Sequence, residues 1–106
     1  MAKYLISASY TAEGAKGVLK EGGTKRRQAA EQVIKSAGGK LEAFYFAFGE
    51  NDAFVIVDAP DHASVAAMSL AINASGAVRT KTVVLLTPEE IDQATKKGTT
   101  YRAPGH

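Results

Sequence analysis

One histidine in this sequence lies where it could do acid–base chemistry. His62 comes directly after Asp61 and two residues before Ser64, at the start of a predicted helix. An imidazole can take up or release a proton near neutral pH, so His62 is a candidate catalytic acid or base that Asp61 and Ser64 could orient. The alternative interpretation is an exposed histidine at a helix start. The other histidine, His106, lies in the C-terminal segment.

Tyrosines form a second group of candidates. Tyr10 and Tyr45 are candidate ligand-binding residues, and Tyr45 is also a candidate catalytic residue. A tyrosine combines an apolar ring with a hydroxyl group that needs a hydrogen-bond partner when it is buried. Together with Tyr4, these residues could line a cleft between a sheet and its helices. The competing interpretation is ordinary packing in a core or an interface.

The segment Gly49-Glu50-Asn51-Asp52 joins two predicted strands. Gly49 and Asp52 are candidate ligand-binding residues, because a turn backbone and a carboxylate could orient a small molecule at a subunit boundary. The simpler interpretation is a turn that sets the register of a hairpin, since turns favour glycine, asparagine and aspartate for backbone reasons.

Arg79 and Lys81 are two residues apart in the final predicted strand and therefore share one face of the sheet. Together they could bind a carboxylate or a phosphate, and arginine would supply a bidentate fork. Arg79 is for this reason a candidate ligand-binding residue. The alternative is that one of these cations lies at the rim while the other pairs with Asp58 or Glu42.

The only basic run is Lys25-Arg26-Arg27, at the start of a predicted helix. Positive charge is unfavourable at this end of a helix dipole, which suggests that Arg26 or Arg27 has a specific partner. Nucleic acid is not the expected partner, because the net charge is only +2 and no motif that reads bases is present.

Several classes of site are absent from the sequence. There is no cysteine, and the two histidines have no third ligand at metal spacing, so we expect neither a metal site nor a cofactor. The glycines form no phosphate-binding loop. No apolar run is long enough to span a bilayer, and the N-terminal segment lacks the features of a secretory signal. We therefore expect a cytoplasmic protein without a membrane partner.

Periodicity and turn signals predict an α+β fold in the order βαββαβ, with a C-terminal helix added. The sheet should be four-stranded, antiparallel and ferredoxin-like, within a single domain of residues 1–97 and followed by a mobile tail at 98–106. The predicted elements are a strand at 3–10, helical segments at 12–21 and 24–37 that could form one kinked helix, strands at 40–48 and 53–59, a helix at 62–74, a strand at 77–87 and a helix ending near 97.

The hairpin strands are apolar on both faces. Phe44, Phe46 and Phe48 are predicted to point one way, and Leu41 with Ala43, Tyr45 and Ala47 the other. One chain of this size has helices for only one face of the sheet. We therefore predict that the second face packs against another copy, giving a dimeric α+β barrel or a higher oligomer.

The sequence resembles the GYD domain family of small bacterial and archaeal proteins. The residues that carry the resemblance are Arg27, Gly38, Gly39, Leu41, Phe44, Tyr45, Gly49, Asp52, Asp61, Val78, Arg79, Thr80 and Thr82. Asn51 stands where the family usually has the tyrosine of its name. The resemblance implies the dimeric ferredoxin-like barrel and no established activity. The hairpin is also similar to the effector domain of Lrp/AsnC-type regulators, in which a comparable turn lies near an amino-acid site between subunits.

Together these features predict a homodimer that binds a small molecule in a cleft between sheet and helices or between subunits. One alternative is a cofactor-free barrel enzyme, such as a small monooxygenase or an isomerase. Tyr10, Tyr45, His62 and Arg79 would be its candidate residues. Another alternative is a structural or interaction module.

Overall fold

A computed structural model describes all 106 residues. The chain forms eight elements of regular structure. They are β1 (Ala2–Tyr10), α1 (Ala12–Glu21), α2 (Gly23–Ser36), β2 (Lys40–Phe46), β3 (Ala53–Ala59), α3 (His62–Ala74), β4 (Val78–Leu85) and α4 (Pro88–Thr95). No helix is long and apolar enough to cross a membrane.

The four strands form one antiparallel sheet in the order β2-β3-β1-β4. This topology confirms the predicted ferredoxin-like α+β fold. The two central strands, β1 and β3, pair along their length from Ala2 with Ala59 to Ala8 with Ala53. The helices α1, α2 and α3 lie on the same side of the sheet, so the sheet has a helix-covered face and an open face.

Local sequence explains where the helices begin. The side chain of Thr11 accepts a hydrogen bond from the Gly14 amide, and that of Asp61 accepts one from the Ser64 amide. Between α1 and α2, Gly22 has a φ of 84°, which a residue with a side chain rarely adopts. The two helical segments are therefore separate helices and not one kinked helix.

The core lies between the helices and the covered face of the sheet. Alternate residues of the two central strands point into it, including Tyr4, Ile6 and Val57. From the helices, Ile34 and Met68 complete the main cluster, and both are almost fully buried. These side chains hold α2 and α3 against the sheet.

The hairpin differs from its prediction in two ways. Strand β2 ends at Phe46, so Phe48 lies in the turn and is fully exposed instead of aligned with Phe44. A β-bulge between Leu41 and Ala43 also shifts the register, and Leu41 packs against the same core as Phe44. The predicted opposition of Leu41 and Phe44 is therefore wrong, because periodicity alone does not reveal a bulge.

The C-terminal helix α4 begins with a capping box between Thr87 and Glu90. It ends at Thr95, slightly earlier than expected, and none of its residues is buried. The whole chain is elongated, with extents of 55 × 33 × 22 Å.

Candidate functional site

A cavity of about 230 Å³ lies between the covered face of the sheet and the helices α2 and α3. Of its 16 lining residues, 13 are hydrophobic. Strands β1 and β3 contribute Ile6 and Val55, α2 contributes Ala30, and α3 contributes Met68 and Ile72. Small side chains at the start of the apolar stripe of α2 leave this space open, because alanine fills less volume than the leucine or valine usual in a core.

The polar groups of the cavity are few. They belong to Tyr10, Arg26, Ser75 and Thr80, and Arg26 is the only one that carries a charge. No acidic residue lines the cavity. The site is therefore an apolar space with hydroxyl groups and a single guanidinium group.

Tyr10 is held in place by the hairpin turn. Its backbone amide donates a hydrogen bond of 2.8 Å to Oδ2 of Asp52. Burial raises the pKa of the Tyr10 phenol above its ordinary value of 10.0, and the nearby Asp52 carboxylate adds to the increase, while the neighbouring Arg26 guanidinium opposes it. The neutral phenol can therefore donate a hydrogen bond next to a fixed positive charge.

Arg26 lies in the first turns of α2, and its side chain is about one third exposed. The nearest acid is Glu21, with an oxygen 3.6 Å from a guanidinium nitrogen. No side chain caps the start of α2, because the N-cap residue is Gly22. The guanidinium group gives this end of the cavity a positive charge, next to the positive end of the α2 dipole.

Aromatic rings surround the same region. The Tyr10 and Phe46 rings are 6.5 Å apart, and those of Phe44 and Phe46 are 5.1 Å apart in an edge-to-face arrangement. Gly23 begins α2 directly against this cluster, since a Cβ atom there would lie 2.9 Å from Cε2 of Phe46. Glycine at this position lets the helix approach the hairpin closely.

The family model of the GYD domain matches residues 4–95, most of the chain. The chain belongs to the GYD domain family. No curated protein matches it. The match extends from the first strand of this GYD domain to the end of α4, so it includes both the cavity and the exposed C-terminal helix.

The predicted ligand-binding residues of this GYD domain do not form one site. Tyr10 lines the cavity. Asp52 does not line it, but accepts a hydrogen bond from the backbone amide of Tyr10. Gly49 is exposed in the hairpin turn, and Tyr45 lies on the open face with 71% of its surface exposed. Arg79 is also on the open face.

Arg79 and Lys81 share the open face as predicted, where they line a polar groove of about 530 Å³. Ser7, Ser9 and Asn51 lie in the same groove. The suggested pairing of one of these cations with Asp58 or Glu42 is wrong. Both acids instead contact the Lys3 ammonium group at 3.0 Å.

The hydrogen bonds from Lys3 to Asp58, and then to Glu42, raise the pKa of Lys3. The reason for this pairing is the strand order, since Lys3 lies directly beside Asp58 in the register. The pattern of charges along the chain does not reveal that neighbour.

His62 is exposed at the start of α3, as expected, but its partner is different. Its Nδ1 atom lies 2.6 Å from the hydroxyl oxygen of the buried Tyr4. The predicted orienting residues bind each other instead, because the Ser64 amide donates to Asp61 and lowers the pKa of that carboxyl group. A groove of about 240 Å³ beside the Tyr4–His62 pair also contains Ser69 and Thr82.

The ligand-binding prediction did not include Arg26, although the basic run drew attention to it. Its location on the cavity side of α2 follows from helical spacing, since Arg26, Ala29, Ala30 and Val33 recur at intervals of three and four residues. That spacing was the available signal.

Proposed function

We propose that this GYD domain binds a small, mainly apolar molecule in the cavity between its sheet and α2 and α3. The observation that carries the proposal is an apolar lining with a few polar groups, one of them charged. Ligand sites commonly combine these features, because apolar walls supply affinity and a few polar groups fix orientation. The volume of about 230 Å³ suits a compact molecule.

An unfilled core is the other explanation for such a space. Protein interiors are packed about as densely as organic crystals and contain few voids larger than a water molecule. This space is partly open to solvent, and Arg26 at its edge is about one third exposed, so small molecules can enter it. A partly open apolar pocket with a guanidinium group at one end is the kind of site that binds a ligand.

The test is native mass spectrometry of gently purified protein, compared with an Ala30→Leu variant. Leucine at position 30 would fill part of the cavity, so the wild-type protein should carry an additional small mass that the variant lacks. Ala15→Leu is the control, because Ala15 is exposed on α1 and lines no part of the cavity. Absence of any adduct, together with no binding of added apolar probes, would contradict the proposal.

We also propose that two copies pack their open faces together. The open face has an apolar centre without helical cover, formed by Leu5, Ala43, Phe54, Ile56, Val83 and Leu85. Sheets commonly bury such faces against each other. Contiguous exposed apolar surface of this kind marks an interaction site in many proteins.

Charge on the open face supports this arrangement. Glu42 and Asp58 lie at one corner of the face, where Lys3 contacts both, and Arg79 and Lys81 lie at the diagonally opposite corner. A twofold axis along the other diagonal would bring these two acids of each copy near Arg79 and Lys81 of its partner, so that they could be shared with Lys3. The strands of the two sheets would then cross at about 90°, one of the two common angles of sheet packing.

The matched test reverses one charge at each corner. Glu42→Arg and Arg79→Glu should each weaken the dimer by repulsion, whereas an equal mixture of the two variants should form a heterodimer. Analytical ultracentrifugation measures all three states, and Lys16→Glu, on the exposed surface of α1, is the control. A monomeric wild-type protein would exclude the dimer. If neither charge reversal weakens the dimer, this orientation is excluded.

A cofactor-free enzyme is the second candidate function, favoured by the 2.6 Å contact between the Tyr4 hydroxyl and His62 in a groove. A phenol and an imidazole in contact could move a proton to or from a substrate. Turnover of a candidate substrate by the wild-type protein but not by His62→Gln would support this function, with the groove beside His62 as its site and not the apolar cavity. Absence of conversion by either would leave the binding function alone.

A further inference from the structure

We infer that the ligand of the cavity is an apolar monocarboxylate, with its carboxylate on Arg26 and its hydrocarbon portion in the cavity. This inference rests on the proposed function and specifies its ligand class. It begins from the lining, in which one guanidinium group is the only charge among mainly apolar side chains.

The location of Arg26 favours an anion. A cation in the first turns of a helix opposes the helix dipole, and no side chain caps the amides at the start of α2. A negative group bound at this end of the cavity would relieve the repulsion between the guanidinium group and the helix dipole. The guanidinium group and the dipole of α2 thus favour the same ligand charge.

Glu21 does not satisfy this requirement. Its oxygen is 3.6 Å from the guanidinium group, and both side chains are partly exposed, at 43% for Glu21 and 31% for Arg26. Exposed ion pairs of this kind contribute little to stability, so a ligand carboxylate can replace or share the contact at small cost. Arginine remains protonated at any physiological pH and can form two parallel hydrogen bonds to a carboxylate.

Tyr10 supplies a second donor at the same end. Its phenol lies beside Arg26, and the Asp52 carboxylate holds its backbone through the 2.8 Å hydrogen bond. A neutral phenol can donate to a carboxylate oxygen. Arg26 and Tyr10 together would therefore orient the acid group and leave the rest of the molecule among Ile6, Val55 and Met68.

The lining also disfavours related ligand classes. An amino acid would bring an ammonium group into a cavity that no acidic residue lines, and the one acid within 4 Å of Arg26, Glu21, is the group that a ligand carboxylate would replace. A phosphate group carries up to about two negative charges, and the single guanidinium group would neutralise only one of them. A neutral alcohol would gain the apolar contacts but not the charged hydrogen bonds.

The experiment is calorimetric titration of the delipidated protein with straight-chain probes of about four to ten carbons. Each length is measured as an alkanoate, an alkanol and an alkylamine. At the best length we expect the alkanoate to bind at least about 10-fold more tightly than the alkanol, since charged hydrogen bonds are worth that much. The alkylamine should bind more weakly than either.

Arg26→Met should abolish the preference for the alkanoate over the alkanol while retaining binding of the alkanol. Arg26→Lys should retain only part of the preference, because lysine keeps the charge but lacks the fork. Arg27→Met is the matched control; Arg27 is exposed and does not line the cavity, so its removal should leave the preference unchanged. Circular dichroism verifies that each variant is folded.

The two levels of the proposal fail differently. If no probe of any class binds, the proposed cavity function is wrong. If alkanols and alkanoates bind equally to the wild-type protein, or if Arg27→Met changes the preference as much as Arg26→Met, the cavity binds ligands and the carboxylate assignment is wrong.

Discussion

The hydroxyl oxygen of Tyr4 and Nδ1 of His62 lie 2.6 Å apart, and this contact joins the central strand β1 to the first residue of α3. Tyr4 is only 1% exposed, whereas His62 is on the surface. A neutral imidazole with its proton on Nε2 accepts a hydrogen bond from the phenol at Nδ1, whereas the other tautomer donates from Nδ1 to the phenolic oxygen. His62 thus provides a hydrogen-bond partner for the hydroxyl group of Tyr4, a core residue.

A double-mutant cycle tests this structural role. Tyr4→Phe and His62→Ala are each expected to lower the free energy of unfolding by about 0.5–1.5 kcal/mol, the usual value of such a hydrogen bond. The double variant should lose less than the sum of the two single losses, because either substitution already removes the contact. Chemical denaturation measures all three variants. Strictly additive losses would show that the two residues do not interact.

Two glycines of α1 give opposite predictions for the same substitution. A Cβ atom at Gly14 would lie 2.0 Å from the carbonyl oxygen of Ala77, whereas one at Gly17 would meet nothing within 4 Å. Gly14→Ala should therefore destabilise the protein by about 1–3 kcal/mol, because the helix must move off the loop before β4. Gly17→Ala should stabilise it by about 0.5–1 kcal/mol through helix propensity. Equal effects in thermal unfolding would mean that α1 does not contact Ala77.

The Tyr10 phenol predicts a stability change at alkaline pH. Its pKa in the folded protein is raised above 10.0, chiefly by burial. At pH values below the pKa of this tyrosine in the unfolded chain, the contribution of the neutral Tyr10 phenol to the free energy of unfolding is fully present. Above that value the unfolded chain loses the proton first, and stability falls as pH rises through the folded pKa. The difference between the spectrophotometric titration curves of the wild-type protein and the Tyr10→Phe variant isolates the titration of this group.

Arg26 makes the same titration informative about the cavity. The guanidinium group lowers the pKa of Tyr10, so Arg26→Met should move the titration of Tyr10 to higher pH. Arg27→Met should leave it unchanged. A Tyr10 titration that is insensitive to Arg26→Met would mean that the guanidinium group does not lie beside the phenol.

Helix α4 provides a prediction about domain boundaries. None of its residues is buried, so deletion of residues 88–106 should change the free energy of unfolding of the isolated monomer by no more than about 0.5 kcal/mol. Deletion of residues 98–106 alone is the control and should have no effect, as the predicted mobile tail implies. A large loss on removing α4 would show that the helix packs onto its own domain.

Elements with strong local signals could be predicted closely. Strand β3 lies between turn and proline signals and matches its predicted bounds of 53–59, and α3 follows Asp61 as its capping residue suggests. Helix α4 begins at Pro88, directly after its capping residue Thr87. Capping and turn chemistry act over three or four residues, so the sequence contains all the information that they need.

The candidate site was less predictable. Tyr10 and Asp52 lie close together, but Asp52 accepts a hydrogen bond from the backbone amide of Tyr10 and does not line the cavity. Arg79 and Tyr45 were grouped with them by residue type, but both lie on the other face of the sheet. Alternation assigns residues of one strand to two faces without saying which face the helices cover.

The sequence by itself determined the order of the elements, the ferredoxin-like sheet and the apolar character of both its faces, because these follow from local propensity and periodicity. Only the tertiary structure decided which groups meet. The bulge near Ala43 places Leu41 against the core. The strand register places Asp58 and Glu42 in contact with Lys3. The packing of α2 near the hairpin places Arg26 beside Tyr10. These contacts join residues far apart in the chain, and their geometry depends on packing that no local pattern encodes.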